Sequence, residues 1–170
     1  MNLILHTPRL SLSPLTLQDI DLIQELTNSP EWIRFIGKRA TETREETLTY
    51  IQHILDNPNV HYWMAVRKED ACPLGGITLI QREYLDYRDI GFAFLSRFVG
   101  QGYAYEATLA LLTDLIQTDA PPFILATTIP DNINSIKLLE RLGFHYERQI
   151  LEQEPALWVY SMATDTFQTK

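Results

Sequence analysis

Between residues 89 and 144 the chain twice passes from a strand-like run through a short turn into a helical stripe. This repetition restricts the fold more than any other feature of the sequence. Residues 89–96 read as a strand and residues 97–102 as the turn. The helix that follows carries Ala104, Ala107, Leu111, Leu112 and Leu115 at helical spacing. Residues 123–129 form a second β-branched and apolar run. Pro130-Asp131-Asn132 then opens a helix with Ile136, Leu139 and Leu142 on one face, and Gly143 ends it. Each unit needs a crossover back to a sheet, so the chain belongs among α/β folds with helices on both faces.

The flanking segments pair in another way. Leu10-Ser11-Leu12-Ser13 alternates and predicts an opening strand that ends at Pro14. Thr16 caps a stripe of Leu17, Ile20, Ile23 and Leu26, closed by Asn28-Ser29-Pro30; a short helix with Trp32, Ile33 and Phe35 and a longer one over 45–55 come next. Residues 61–67 and 74–81, joined by a turn at 68–73, read as a β-hairpin, and residues 144–150 and 157–162 as an antiparallel pair. The predicted order is βααβββαβαββ, with no repeat and no interdomain linker.

A chain of 170 residues fits one domain, residues 1–170, with a sizeable core. A net charge of -8 argues against nucleic acid as a partner, because such proteins neutralise phosphates with clustered basic residues; it suits a cationic amine. Cys72 is the single cysteine, which excludes an intramolecular disulfide and a cysteine-based zinc site. Residues 1–9 lack a leader-like apolar run, and no stretch has membrane-spanning length, so a cytoplasmic location without membrane contact is expected.

Gly100-Gln101-Gly102-Tyr103-Ala104 lies where a strand hands over to a helix. Free N–H groups and the positive end of the helix dipole favour an anion there, and glycines let the backbone approach it. Taken alone, this G-x-G is either an anion loop or an ordinary turn. It lacks the third glycine of a dinucleotide fingerprint and the Gly-Lys-Ser/Thr of a Walker loop.

The surrounding text is more specific. Asp89-Ile90-Gly91-Phe92-Ala93-Phe94-Leu95 followed by Gly100-Gln101-Gly102-Tyr103-Ala104-Tyr105-Glu106-Ala107 resembles the acetyl-CoA motif of the GNAT superfamily. Asn132-Ile133-Asn134-Ser135, with Leu138, Glu140-Arg141 and Leu142-Gly143-Phe144, is similar to its second motif. Thr7-Pro8-Arg9-Leu10 and Leu74-Gly75-Gly76-Ile77-Thr78-Leu79 extend the resemblance over nearly the whole chain, closest to the branch of ribosomal-protein N-terminal acetyltransferases.

The resemblance implies a mixed, mostly antiparallel central sheet flanked by helices on both faces, acetyl-CoA as acyl donor, and an amine acceptor. That acceptor is either a small molecule or a protein N-terminus, and a homodimer is allowed. It implies that pantetheine lies beside Phe92, Phe94 and Leu95. Amides of Gly100, Gln101, Gly102, Tyr103, Ala104 and Tyr105 would hold the pyrophosphate, and Asn132 would contact the pantetheine arm. Where the family often has Gln or Arg, three residues before Gly102, this chain has Val99, which removes a side-chain contact and leaves a backbone cradle.

Amine acetylation calls for a base, a polarised carbonyl and a donor to the departing thiolate. Asp89 is either the base or a solvent-facing carboxylate at a strand end; Glu83 is either a second base or part of an exposed loop. Ser135 resembles the residue that serves the sulfur in this branch, and it also reads as a helix cap. Trp32, Phe35, Tyr84 and Tyr87 read either as acceptor-pocket wall or as core, and Trp63 as core. His6, His53, His61 and His145 show no ligand spacing, so no metal is expected, and Cys72 lacks a partner histidine for nucleophilic work. Rival readings are a non-catalytic acetyl-CoA-binding module and transfer of a longer acyl group.

Overall fold

The computed structural model describes residues 4–167. Residues 1–3, part of the stretch read for a leader, lie outside the described residues. Among the described residues one eight-stranded sheet runs in the order β1-β2-β3-β4-β5-β6-β8-β7. Its strands are β1 (Leu5–His6), β2 (Leu10–Pro14), β3 (Val60–Arg67), β4 (Pro73–Ile80), β5 (Asp89–Phe94), β6 (Phe123–Thr128), β7 (His145–Ile150) and β8 (Leu157–Ala163). All neighbours are antiparallel except β5 and β6. The mixed, mostly antiparallel sheet is therefore as expected; β1, an edge strand of two residues, was not.

Helices α1 (Ile20–Thr27), α2 (Pro30–Phe35) and α3 (Arg44–Leu55) fill the span between β2 and β3 where the stripe from Leu17, the short helix and the longer one were read, one more than the two written in the predicted order. Helices α4 (Tyr103–Thr118) and α5 (Ile133–Arg141) follow β5 and β6. Local chemistry sets their ends. Ser29 Oγ accepts from the Trp32 N–H at 3.2 Å ahead of Pro30, which is already fixed near helical φ. Thr43 and Glu46 form a reciprocal capping box at the start of α3. At the end of α5, Phe144 N–H reaches the Leu139 carbonyl and Gly143 N–H the Glu140 carbonyl, both at 3.0 Å, the paired bonds of a Schellman stop.

Side-chain alternation divides the core in two. Trp63, Ala65, Ile77, Ile90, Ile124 and Tyr160 face α4 and α5 with Leu111, Leu112 and Leu139. Tyr62, Met64 and Leu95 face the other way, against Ile23, Leu26, Trp32 and Ile51. Trp63 is thus core, as expected. On that second face the β6–β8 half is capped by Leu85 of the 81–88 loop, which packs on Leu125 and Val159.

Candidate active site

β5 pairs with β4 along its whole length but shares one register pair with β6, Asp89 with Leu125. Beyond it the strands separate. Leu125 N–H donates to the Arg88 carbonyl at 3.0 Å, and a continuing parallel ladder would next offer the Ile90 carbonyl to Thr127 N–H. Instead that amide donates to Asp89 Oδ1 at 3.2 Å, and the Thr127 hydroxyl donates to Asp89 Oδ2 at 2.9 Å. Arg82 Nε completes the set on Oδ2. A side-chain carboxylate thus takes the place of a ladder carbonyl, and the sheet opens at that point.

The solvent-facing carboxylate considered for Asp89 is not what is found. Its residue is 2% exposed, between Arg82 and Thr127. Burial pushes its carboxyl above the ordinary aspartate value, while Arg82 and the two Thr127 donors pull it back. Neither partner announced itself in the sequence. Glu83 stands exposed on the 81–88 loop, as does Tyr84, and Tyr87 packs its ring on Phe123.

The edge of β5 that faces the opening has a definite polarity. Leu95 N–H donates to the Leu74 carbonyl at 3.0 Å, so odd residues of β5 direct their main-chain groups to β4. By strict alternation those of Phe92 and Phe94 point into the gap, while their side chains are half-buried against the α4-side core. Leu95 departs from the expectation placed on it: its amide is held by Leu74, its carbonyl accepts from Phe98 N–H at 2.9 Å, and its side chain is buried on the opposite face.

Both helices that border the opening begin at the carboxyl ends of parallel strands, which in α/β sheets is where ligands sit. At the first, Gly100 and Gly102 have φ of +81° and +82°, a left-handed conformation that side chains resist. A Cβ at Gly100 would meet nothing within 4 Å. Gln101 and Gly102 amides donate to no described acceptor, and the first i to i-4 bond of α4 runs from Glu106 N–H to the Gly102 carbonyl at 3.0 Å. Amides of Tyr103, Ala104 and Tyr105 lie in the first turn, whose donors a helix cannot satisfy itself. Val99 is 54% exposed. The ring of Tyr103 is buried, and Tyr105 lies under the Arg141 guanidinium at 4.1 Å.

Behind this loop Glu106 accepts from Thr7 Oγ1 at 2.5 Å, Arg9 N–H at 2.9 Å and Arg9 Nε at 2.6 Å. Arg9 Nη1 donates to the Gln101 carbonyl at 3.0 Å, and its guanidinium lies over the Tyr103 ring at 4.3 Å. Arg9 thus joins the opening strand to α4 and the loop before it, through partners 97 and 92 residues away.

At the second helix, Asn132 Oδ1 accepts from Ser135 N–H at 3.3 Å. The cap of α5 is therefore Asn132 and not Ser135, which stands at the third helical position with its hydroxyl free of partners among the described residues. Trp32 is buried with its indole N–H unpartnered, in the cluster that contains Leu95 and touches Ala93. Phe35 is half-buried under the Arg34 guanidinium. Among the described residues no group of three metal-ligating side chains is assembled, and no helix is long and apolar enough to cross a membrane.

A sheet that opens between two parallel strands, with a glycine-started and an asparagine-capped helix at the mouth, presents a crevice of the kind in which α/β folds hold ligands. The model of the acetyltransferase (GNAT) domain matches residues 9–145. The chain belongs to the GNAT acetyltransferase family. It is 29% identical over 138 residues to the uncharacterized protein YkkB of Bacillus subtilis (strain 168), covering 79% of this chain and 80% of that one. It is 24% identical over 141 residues to the uncharacterized N-acetyltransferase YnaD of the same strain, covering 83% and 82%. Its fold superposes with a TM-score of 0.79 on the crystal structure of a ribosomal-protein-S5-alanine acetyltransferase from Vibrio fischeri, at 18% identity, with 99% of this chain and 100% of that chain covered.

Proposed function

We propose that residues 1–170 act as one acetyl-CoA-dependent N-acetyltransferase domain that moves an acetyl group to a primary amine by direct attack within a ternary complex. The observation that carries this reading is the opening between β5 and β6. Along one edge lie the unpaired main-chain groups of Phe92 and Phe94, and at its mouth lie the left-handed glycines and free amides that lead into α4. In this reading the pantetheine arm hydrogen-bonds to Phe92 and Phe94. The pyrophosphate rests on amides of Gly100, Gln101, Gly102, Tyr103, Ala104 and Tyr105, whose fixed partial charges need no lysine. The Nδ2 of Asn132, without a partner among the described residues, is free to meet the arm from the other side.

The chemistry needs little else. The amine nitrogen bonds to the thioester carbon, the C–S bond breaks, and the sulfur gains a proton as the amine loses one. Ser135 Oγ is the donor to the departing sulfur. A main-chain N–H of β5 stabilises the oxyanion, an effect worth roughly 3 kcal/mol in other acyl transfers, and orientation of the two substrates supplies much of the rest. Asp89 already accepts three hydrogen bonds, from Arg82 and from Thr127 twice, so we assign it to holding the gap open and let the ammonium lose its proton to water.

The names of two similar proteins, an N-acetyltransferase and a ribosomal-protein-S5-alanine acetyltransferase, support a small-molecule amine or a protein N-terminus as acceptor. The test is calorimetric titration with acetyl-CoA, followed by CoA release with peptides bearing free N-termini, polyamines, aminoglycosides and amino acids. Binding with turnover on one amine class is expected. Binding without turnover on any class would make the chain a non-catalytic binding module, faster turnover with a longer acyl-CoA would change the donor, and absence of binding would end the reading.

A further inference from the structure

We infer that Arg9 is a positioning residue for the anion-holding loop: it grips the Gln101 carbonyl and thereby turns the Gly102 amide outward to the ligand. The inference rests on the acetyl-CoA reading above.

The geometry starts from the peptide between Gln101 and Gly102. It is trans, since the cis bond among the described residues is Glu154-Pro155, so its carbonyl and its N–H point in opposite directions. Arg9 Nη1 holds that carbonyl at 3.0 Å. The Gly102 amide therefore faces away from Arg9, and it has no acceptor within the described chain.

A loop with this composition needs such a grip. With no Cβ at Gly100 or Gly102, the intervening peptides can flip at small steric cost, as between type I and type II turns. One orientation presents an N–H to an anion and the other a carbonyl oxygen, which an anion repels. Binding to a partly populated conformer is weakened by the fraction that is competent. Biasing the peptide therefore acts directly on affinity.

Arg9 is itself held in place. Glu106 receives its Nε and its backbone N–H, at 2.6 and 2.9 Å, and the Tyr103 ring supports the guanidinium plane. The carboxylate and the carbonyl sit on two prongs of one planar fork. A lysine ammonium can follow either partner but cannot serve both with this geometry. As an ion pair alone, with side-chain exposures of 45% and 17%, the contact contributes little to stability, so its effect falls on the loop.

The experiment is calorimetric titration of wild type, R9K and R9A with CoA and with acetyl-pantetheine, a probe that lacks the pyrophosphate. In both variants CoA is expected to bind about tenfold more weakly, the size of one charge-assisted hydrogen bond. Acetyl-pantetheine is expected to bind as in wild type, and in turnover the donor KM rises while kcat holds. Equal loss for both ligands, or no loss with CoA, overturns the inference. If R9A does not fold, R9K decides alone. Failure of wild type to bind CoA overturns the acetyl-CoA reading instead, which separates the two.

Discussion

Thr127 gives both its amide and its hydroxyl to one carboxylate, that of Asp89, at 3.2 and 2.9 Å. In this way a side chain ends the only parallel ladder among the described strands. The pair works as a wedge. It satisfies the first amide past the branching point, so the strands can part without leaving a buried donor unmet.

Replacement of Asp89 by asparagine distinguishes wedge from base. D89N leaves Arg82 without its counter-ion and Thr127 with a weaker acceptor, so unfolding in urea should show a loss of about 2 kcal/mol, below the cost of breaking a fully buried pair because Arg82 is partly exposed. Turnover should fall less than tenfold. A loss of a hundredfold or more in kcat at unchanged stability, the range of a lost general base, would make Asp89 the base.

Ser135 and Asn132 separate in the same manner. S135A removes a hydroxyl without a partner among the described residues, so its melting temperature should stay near that of wild type while kcat drops by about a hundredfold. N132A removes the cap of α5 and should cost about 1 kcal/mol of stability as well as donor affinity. A normal kcat in S135A would remove it from the chemistry.

Alanine at Gly100 and at Gly102 probes the loop. Both positions have φ near +80°, where an L-residue costs roughly 1 to 2 kcal/mol, so both variants should melt earlier. At Gly100 the new methyl enters open space; at Gly102 it sits 3.4 Å from Arg9 Nη2 and presses on the grip on Gln101. Titration with CoA should therefore find G102A weaker than G100A. Equal affinities would show that conformation alone matters.

Glu106 makes stability depend on acid. Burial raises its carboxyl, but the hydrogen bonds from Thr7 and Arg9 outweigh this and leave it below the ordinary glutamate value of 4.5. A carboxyl lowered in the folded state stabilises fully above its unfolded value and loses that contribution as pH falls through the folded one. The melting-temperature gap between wild type and E106Q should be widest near neutrality and close below about pH 4. A gap that does not change with pH would mean that the charge is irrelevant.

The parts of the fold written locally were legible in the sequence. Gly143 after Leu142, Ser29-Pro30 and the stripe Ala107, Leu111 and Leu115 each state a helix end or face within a few residues, and the structure follows them. Contacts between distant segments were not. Arg82 and Thr127 meet Asp89 from seven residues before it and 38 after, and nothing in the sequence announces burial of a carboxylate at a strand end. Arg9 and Glu106 lie 97 apart. The sequence placed Leu95 with Phe92 and Phe94, but alternation turns every second main-chain group of β5 toward β4, a distinction of register that a motif cannot carry.

The two positive φ angles at Gly100 and Gly102 bear on how far such a chain can drift in evolution. Where a pocket is shaped by the sign of two torsions and offered through amides, inheritance of function requires the curvature of the chain and little of its lettering. Side chains around it can turn over until relatives share about a quarter of their residues, as here, and mutational tolerance should end abruptly at those two positions.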